Sequence, residues 1–229
     1  MLNRLISISI FLASGFTISF SQSFLAPNVA LKSHETLDIM KVVISEEKTE
    51  IFLKVENRIT GGNFCADRNI YLGYPDGTKS FLVSSSGIPV CPDTYKFRSP
   101  GEHLDFVLAF PPIRKGTESV NLIEDCQDNC FSFYGIILDS NLNKKIDDAF
   151  ALAENDQPAK AMVSFIKIAE ETGDKNPGAT GVLYMNIVKL AKLTGNYVKA
   201  VEWYKKLESS GLPETSLYIN HLNSQGIKY

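Results

Sequence analysis

Hydrophobic and polar residues alternate in short runs over residues 35–138, whereas the apolar positions beyond them recur every three or four residues. A period of two is typical of strands with one buried face, and a period near 3.6 is typical of amphipathic helices. In the run HLDFVLAF the leucine and phenylalanine positions share one face, and His103 and Asp105 fall on the other. The pattern predicts an α+β protein whose β half precedes its helical half.

Seven alternating runs predict an antiparallel β-sandwich over residues 36–139. They are ETLDIMKVVIS, TEIFLKVEN, NIYLGY, TKSFLVS, HLDFVLAF, ESVNLI and FSFYGIIL. Between the third and fourth runs, Pro75, Asp76 and Gly77 predict a tight hairpin turn, because proline presets the entry and glycine accepts a positive φ. Residues 22–35, which precede the first run, are predicted to be a linker.

Helical periodicity extends over residues 140–229. The segments SNLNKKIDDAFALAEND and PAKAMVSFIKIAEETG predict two helices, and the second is expected to be central because it is apolar on two sides. Two more helices are predicted at about 181–194 and 197–210. The segment PETSLYINHLNSQ predicts a final capping helix, and DKNPGATG, between the second and third helices, is expected to be a loop.

The N-terminus has the features of a secretory signal peptide over residues 1–21. One arginine precedes an apolar run, and the small residues Ser19 and Ser21 suit a cleavage site before Gln22. The alternative is a membrane anchor, but the run is short and contains serine and threonine, whereas a span needs about 20 apolar residues. The sequence therefore predicts a mature protein in the periplasm or outside the cell, with no membrane span after cleavage.

All four cysteines lie in the β half, and an even number in an exported chain favours disulfide bonds. If each strand crosses the sandwich once, the links that carry Cys65, Cys91, Cys126 and Cys130 fall at one end. Three pairings are open. We favour Cys65 with Cys91 and Cys126 with Cys130, because three intervening residues can turn to bring the latter pair together. The C-x3-C spacing fits neither a zinc knuckle nor a C-x-x-C redox pair.

The β half resembles the immunoglobulin-like sandwich found near the N-terminus of many exported proteins of Gram-negative bacteria. The resemblance rests on a turn and on the closing strand, at Phe110, Pro112, Lys115, Gly116, Thr117 and Ser119 and at Tyr134, Gly135 and Ile136. It implies a fold rather than a ligand. Such sandwiches often precede thioredoxin-like domains, and the sequence here departs from that arrangement because a helical segment follows.

The helical half resembles a tetratricopeptide repeat. The matching positions are Tyr184, Ile187, Val188, Ala191, Gly195, Tyr197, Ala200, Tyr204, Leu207 and Pro213. A weaker copy precedes it at Leu152, Pro158, Ala161, Phe165 and Ile168. Two repeats and a cap are fewer than the three or so that such arrays need. We therefore expect the helices to pack on the sandwich, at the end opposite the cysteines.

Motifs for catalysis are not evident in the sequence. His34, His103 and His221 have no metal-like spacing, and the pairs Glu124-Asp125 and Asp147-Asp148 are interpreted as solvated faces. We expect no catalytic, cofactor-binding or metal-binding residue. The formal net charge of -3 gives no basic field for nucleic acid or for an anionic membrane surface.

The sequence is therefore interpreted as a non-enzymatic exported adaptor that binds a protein partner; it does not reveal the oligomeric state. Trp203, Tyr184 and Tyr204 are the candidate partner-binding residues, although for Trp203 the sequence favours packing at the domain junction or against the cap. One alternative is a binding protein for a small ligand or glycan, with aromatic platforms on the cysteine-rimmed loops at Phe64, Tyr71 or Tyr95. Another is a thiol-redox accessory protein.

Overall fold

The computed structural model describes residues 21–173 and 176–229. The predicted signal peptide lies outside the described residues except for Ser21. The strands are β1 Gln22–Leu25, β2 Val29–Lys32, β3 Leu37–Ile44, β4 Thr49–Glu56, β5 Asn63–Phe64, β6 Ile70–Gly73, β7 Lys79–Phe81, β8 Ser84–Ser86, β9 Tyr95–Lys96, β10 His103–Phe110, β11 Ser119–Glu124 and β12 Ser132–Ile137. The helices are α1 Ser140–Glu154, α2 Pro158–Thr172, α3 Pro177–Leu193, α4 Tyr197–Glu208 and α5 Thr215–Ser224.

Two antiparallel sheets form the β half. Sheet A has the order β1-β3-β4-β10-β8 and sheet B the order β2-β12-β11-β6-β7, while β5 and β9 form a separate pair. Alternate residues of the long strands are buried, and residues from both sheets, such as Leu53 and Leu72, belong to one core. The sheets therefore pack face to face. Each of the seven predicted runs contains a strand, and the predicted turn closes the β6–β7 hairpin with Gly77 at a φ of +81°.

Five further strands were not predicted. Residues 22–35, expected to be a linker, contain β1, which pairs with β3 of sheet A, and β2, which pairs with β12 of sheet B. On the opposite side, β7 belongs to sheet B and β8 to sheet A. The five unpredicted strands, β1, β2, β5, β8 and β9, have two to four residues each, too few to show alternation. The edge strands are β1 and β8 in sheet A and β2 and β7 in sheet B. Because all four are short, neither sheet presents a long edge to another chain.

The helix α3, rather than α2, is the central helix. It packs between α2 and α4 and also on β12, β2 and β11. Nine of its residues are buried, so it is apolar around most of its circumference. It also begins earlier than predicted, inside the expected loop. Asn176 caps it by accepting a hydrogen bond from the Ala179 N–H, and Pro177 suits the first turn because its missing N–H is not needed there.

The helices cover the outer face of sheet B, which corrects the expected position at one end of the sandwich. The chain does leave β12 at the end opposite the cysteines, and α1 begins after Asp139, whose carboxylate accepts from two backbone amides of the first turn. However, α3 then crosses sheet B where a β-bulge interrupts the register of β11 and β12. Gly135 occupies this bulge with a φ of +63°, and a Cβ there would lie 2.5 Å from the Gly178 carbonyl oxygen of α3. The bulge thus permits backbone-to-backbone approach.

Polar contacts fix the two halves together around this approach. The Gly135 amide donates to the Asn121 side chain, whose Nδ2 in turn donates to the Glu214 carboxylate at the start of α5. At the other border of the interface, the Asn28 amide and side chain donate to Asn143 Oδ1 of α1. These bonds, together with the apolar contacts of α3 with sheet B, predict that the two halves unfold as one cooperative unit.

Candidate functional site

Both favoured disulfides are present. Cys65 is bonded to Cys91 and Cys126 to Cys130, with Cα–Cα distances of 5.3 and 5.6 Å. The described residues include no free cysteine. Cys65, Cys91 and Cys126 line the same cleft, which confirms that the cysteine-bearing loops meet at one end of the two sheets. The position was predictable because link parity depends only on strand order, whereas the pairing was favoured because three intervening residues can turn to bring Cys126 and Cys130 together.

We name this depression the disulfide-end cleft. Its volume is about 570 Å³. Four segments line it: His34 and Thr36; residues 55–59 and 61–65; Cys91 and Phe97; and Glu124, Cys126, Asp128 and Asn129. All four are links between strands or the ends of strands. Loops held by a rigid scaffold are where binding residues concentrate in folded proteins.

The floor of the cleft is apolar and its rim is charged. Phe97 is buried, and Phe64 is half-buried with its ring 6.0 Å from that of Phe106 and 6.2 Å from that of Phe131. On the rim, Arg58 and Asp128 are exposed and carry opposite charges. An apolar floor inside a polar rim is the usual composition of a protein recognition site.

Asn57 holds the longest loop of the cleft in place. Its buried side chain donates from Nδ2 to the carbonyl oxygens of Ile59, at 2.7 Å, and Ser99, at 2.8 Å. Gly62 packs directly on this amide and accepts a hydrogen bond from the Phe97 N–H through its carbonyl. The loop is therefore bonded at both ends to the segment that follows Cys91.

Replacing Gly62 with alanine should destabilise the protein and loosen the cleft. A Cβ at this position would overlap the Asn57 side chain, and such overpacking costs about 1–3 kcal/mol. Urea unfolding measures the loss. Gly73→Ala is the matched control, because its Cβ would make only an ordinary contact at 3.7 Å. Equal losses in the two variants would show that Asn57 and Gly62 are not tightly packed.

Glu124 is a site residue that the sequence interpretation missed. It was grouped with Asp125 as a solvated pair, but its side chain is buried and its carboxylate accepts from the backbone amides of Asp67, at 2.7 Å, and Phe131, at 3.0 Å. These bonds join the Cys65 loop to the Cys126–Cys130 loop. Burial raises the pKa of the Glu124 carboxyl, and the two amides act in the opposite direction without cancelling the rise. Its bonds are structural, since both oxygens are engaged by the main chain.

The raised pKa of Glu124 predicts a pH dependence of stability. Because the folded state favours the protonated carboxyl, the stability that this group contributes is present below its ordinary pKa of 4.5 and is lost as pH rises through the folded value. Urea unfolding at a series of pH values should show this decrease as the difference between wild type and Glu124→Gln. A difference that grows with pH in the wild type's favour would contradict the assignment.

The three aromatic residues proposed for partner binding lie elsewhere. Trp203 is 2% exposed and Tyr204 is 4% exposed, so neither side chain is available at the surface. The Trp203 ring packs edge-on against Tyr184, 4.9 Å between centroids, and Lys206 covers it. Tyr204 donates to the Asn223 side chain of α5. The structure therefore places Trp203 in the helical core, which corrects its possible role as an exposed anchor.

Of the aromatic platforms proposed for a ligand, only Phe64 lines the disulfide-end cleft. Tyr95 lies beside it, paired with Phe64 across β5 and β9, and its hydroxyl donates to Glu102 at 2.6 Å. Tyr71 is on sheet B, next to Phe81 and under Lys79. Within residues 21–173 and 176–229, no group of three or more histidine, cysteine or acidic side chains is placed to hold a metal ion.

Comparison of the chain with protein-family models, curated proteins and solved structures found no match. The immunoglobulin-like and tetratricopeptide-like resemblances consequently stay predictions from residue spacing. Among the described helices, none combines the length and apolar character that crossing a bilayer requires.

Proposed function

We propose that the protein is a non-catalytic exported binding protein that holds a segment of a partner protein in the disulfide-end cleft. The observation that carries the proposal is the cleft itself, in which two disulfides and the buried Glu124 fix several loops around an apolar floor. Preorganised loops lose little conformational entropy when a partner binds, so their contacts contribute more fully to affinity.

The packing of α3 on sheet B is the reason why we assign the proposed adaptor role to the cleft and not to the helices. In a free helical array the concave surface takes up peptide segments. Here α3 lies on β12, β2 and β11, so this surface is occupied by the protein's own sheet. The helices act as a cover for sheet B, and the cysteine-rimmed loops form an open concave surface away from them.

A protein segment fits the cleft better than a glycan does. Flat recognition of a sugar ring needs an exposed aromatic face, whereas Phe97 is buried and the Phe64 ring is stacked on Phe131. The Arg58 and Asp128 charges on the rim suit the polar groups of a peptide, and the floor suits one apolar side chain. The redox alternative is less favoured because all four cysteines are bonded.

Site-specific photocrosslinking in the source cell envelope tests the proposal. A photoreactive phenylalanine analogue replaces Ile59, which lies on the rim and is 65% exposed. The matched control carries it at Val163 on α2, which is 63% exposed and outside the cleft lining. We expect a discrete protein adduct from position 59 that position 163 does not give, and a loss of that adduct when Arg58→Glu is added.

Two results would contradict the proposal. One is the same set of adducts from both positions, since this would indicate collision rather than recognition. The other is the absence of a protein adduct together with a small molecule retained in native mass spectrometry, which would favour the small-ligand alternative.

A further inference from the structure

Charge is distributed unevenly between the two halves of the chain. Residues 189–229 contain six lysines and three glutamates, although the whole protein has a formal net charge of -3. Lys199 and Lys206 share Glu202. Within the part of the chain that the structure describes, the other four lysines have no carboxylate at ion-pair distance. The far end of the helical half is therefore locally cationic, a feature that the net charge conceals.

The three most exposed apolar side chains of the helical half, Leu193, Tyr197 and Val198, lie in the same region. We name as the helical tip the turn between α3 and α4 with the adjacent C-terminal residue, comprising Leu193, Tyr197, Val198 and Tyr229. Leu193 is 72% exposed and Val198 is 79% exposed. Tyr229 reaches the tip by packing edge-on against Tyr204, 5.6 Å between ring centroids. Exposed apolar residues that cluster at one turn indicate an interaction surface.

Two lysines lie at the tip and a third lies one turn away on α3. Lys192 immediately precedes Leu193, and its Nζ donates to the Gly226 carbonyl oxygen, which brings the C-terminal residues beside α3. Lys228 is exposed next to Tyr229. One turn earlier on α3, Lys189 Nζ lies 3.2 Å from His221 Nε2, and Gln225 Nε2 lies 3.1 Å from the same atom. Burial lowers the pKa of Lys189, and burial with the nearby lysine lowers the pKa of His221. Among the residues that the structure describes, Lys189, Lys192 and Lys228 form no ion pair.

We propose that the helical tip docks on an anionic lipid bilayer surface. Leu193, Tyr197 and Val198 would enter the interface between headgroups and acyl chains, while Lys192 and Lys228 face the lipid phosphates. The combination of protruding apolar side chains, a tyrosine at the boundary and flanking lysines is the chemistry of reversible membrane-surface binding. A protein partner would require a pocket that accepts this convex turn, whereas a bilayer accepts a protruding turn without a preformed cavity. The proposal concerns a different surface from the disulfide-end cleft.

Vesicle flotation with the full mature protein tests the proposal. The vesicles contain phosphatidylcholine alone or equal parts of phosphatidylcholine and phosphatidylglycerol. We expect binding only to the anionic vesicles, with a strong decrease at high salt because screening weakens attraction to the surface. Lys228→Gln should lower the partition coefficient about fivefold, which is the usual contribution of one lysine near an anionic surface.

The variant Leu193→Ser with Val198→Ser should abolish flotation. Its matched control is Val83→Ser with Val163→Ser, which removes two comparably exposed apolar side chains away from the tip and should bind as the wild type does. Circular dichroism of each variant checks that it is folded, and Val198→Thr offers a milder second variant with the same expected direction. The proposal is overturned if the wild type does not bind anionic vesicles, if it binds both compositions equally, or if the control loses binding to the same extent. Failure of flotation alongside a protein adduct at Ile59 would overturn this proposal and leave the cleft proposal standing.

Discussion

Replacing Gly135 with alanine is expected to lower the free energy of unfolding by about 3 kcal/mol, because two costs combine at the β-bulge. The first is the φ of +63°, which an L side chain rarely adopts. The second is steric, since the new Cβ would lie 2.5 Å from the Gly178 carbonyl oxygen and 3.0 Å from the Ala30 Cβ. Backbone cannot move aside as a flexible side chain can, so α3 would have to shift on sheet B. Urea unfolding measures the change.

Gly116→Ala separates the two costs. Gly116 has a φ of +82° but no atom within 4 Å of its would-be Cβ, so alanine there should cost only about 1 kcal/mol. The excess loss at Gly135 then measures the close approach of α3 to β12. Similar losses in the two variants would contradict that approach and leave only backbone strain.

Removing the Cys65–Cys91 disulfide by a double change to alanine is expected to cost about 3.5 kcal/mol. The bond closes a loop with a sequence separation of 26, and opening it increases the conformational entropy of the unfolded chain. It also releases the loop that carries Phe64 and Ile59. Stability is measured by urea unfolding, and photocrosslinking from position 59 should decrease more than the loss of folded protein explains.

The same change at Cys126 and Cys130 is the matched control. This bond closes a sequence separation of only 4, for which the chain-entropy model gives about 2 kcal/mol. The order of the two losses is the testable point. A larger loss of unfolding free energy at Cys126 and Cys130 would show that the stabilisation by these disulfides depends on local geometry rather than on loop closure.

Much of the β half was predictable because its long strands each have one buried face. The strands β3, β4 and β10 are eight residues long, enough for the period of two to stand out. The short strands β1 and β2 escaped prediction because four residues hardly define a period. Their pairing with different sheets depends on the folded arrangement, which the local sequence does not encode.

The helical half shows where periodicity misleads. The spread of apolar residues in α2 suggested a central helix, but α3 has more buried residues because it meets sheet B as well as α2 and α4. The signal was the near-continuous apolar run GVLYMNIV, which lacks a polar stripe. The position of α3 on sheet B depends on the close approach of Gly135 and Gly178. This approach could not be predicted, because a single glycine in a sequence does not reveal which backbone lies against it.

The candidate site was predictable in its disulfides and not in its chemistry. Four cysteines and a strand count sufficed to place the bonded loops. Glu124 could not be recognised, because a glutamate beside an aspartate usually faces solvent and its burial depends on two backbone amides from distant loops. For Trp203 the sequence left open an exposed anchor and a packed position and favoured the packed one, and the side chain is buried.

Native-state hydrogen exchange tests most directly whether α3 seals the outer face of sheet B, the arrangement on which the proposed role of the disulfide-end cleft depends. If the two halves form one cooperative unit, the buried amides of α3 and β12 should exchange with the same free energy of opening. Gly135→Ala should lower both values in parallel. The arrangement would be contradicted if the amides of α3 exchanged with a much lower free energy of opening than those of β12 and if Gly135→Ala left that value unchanged. The surface of the helices would then again be a candidate binding site.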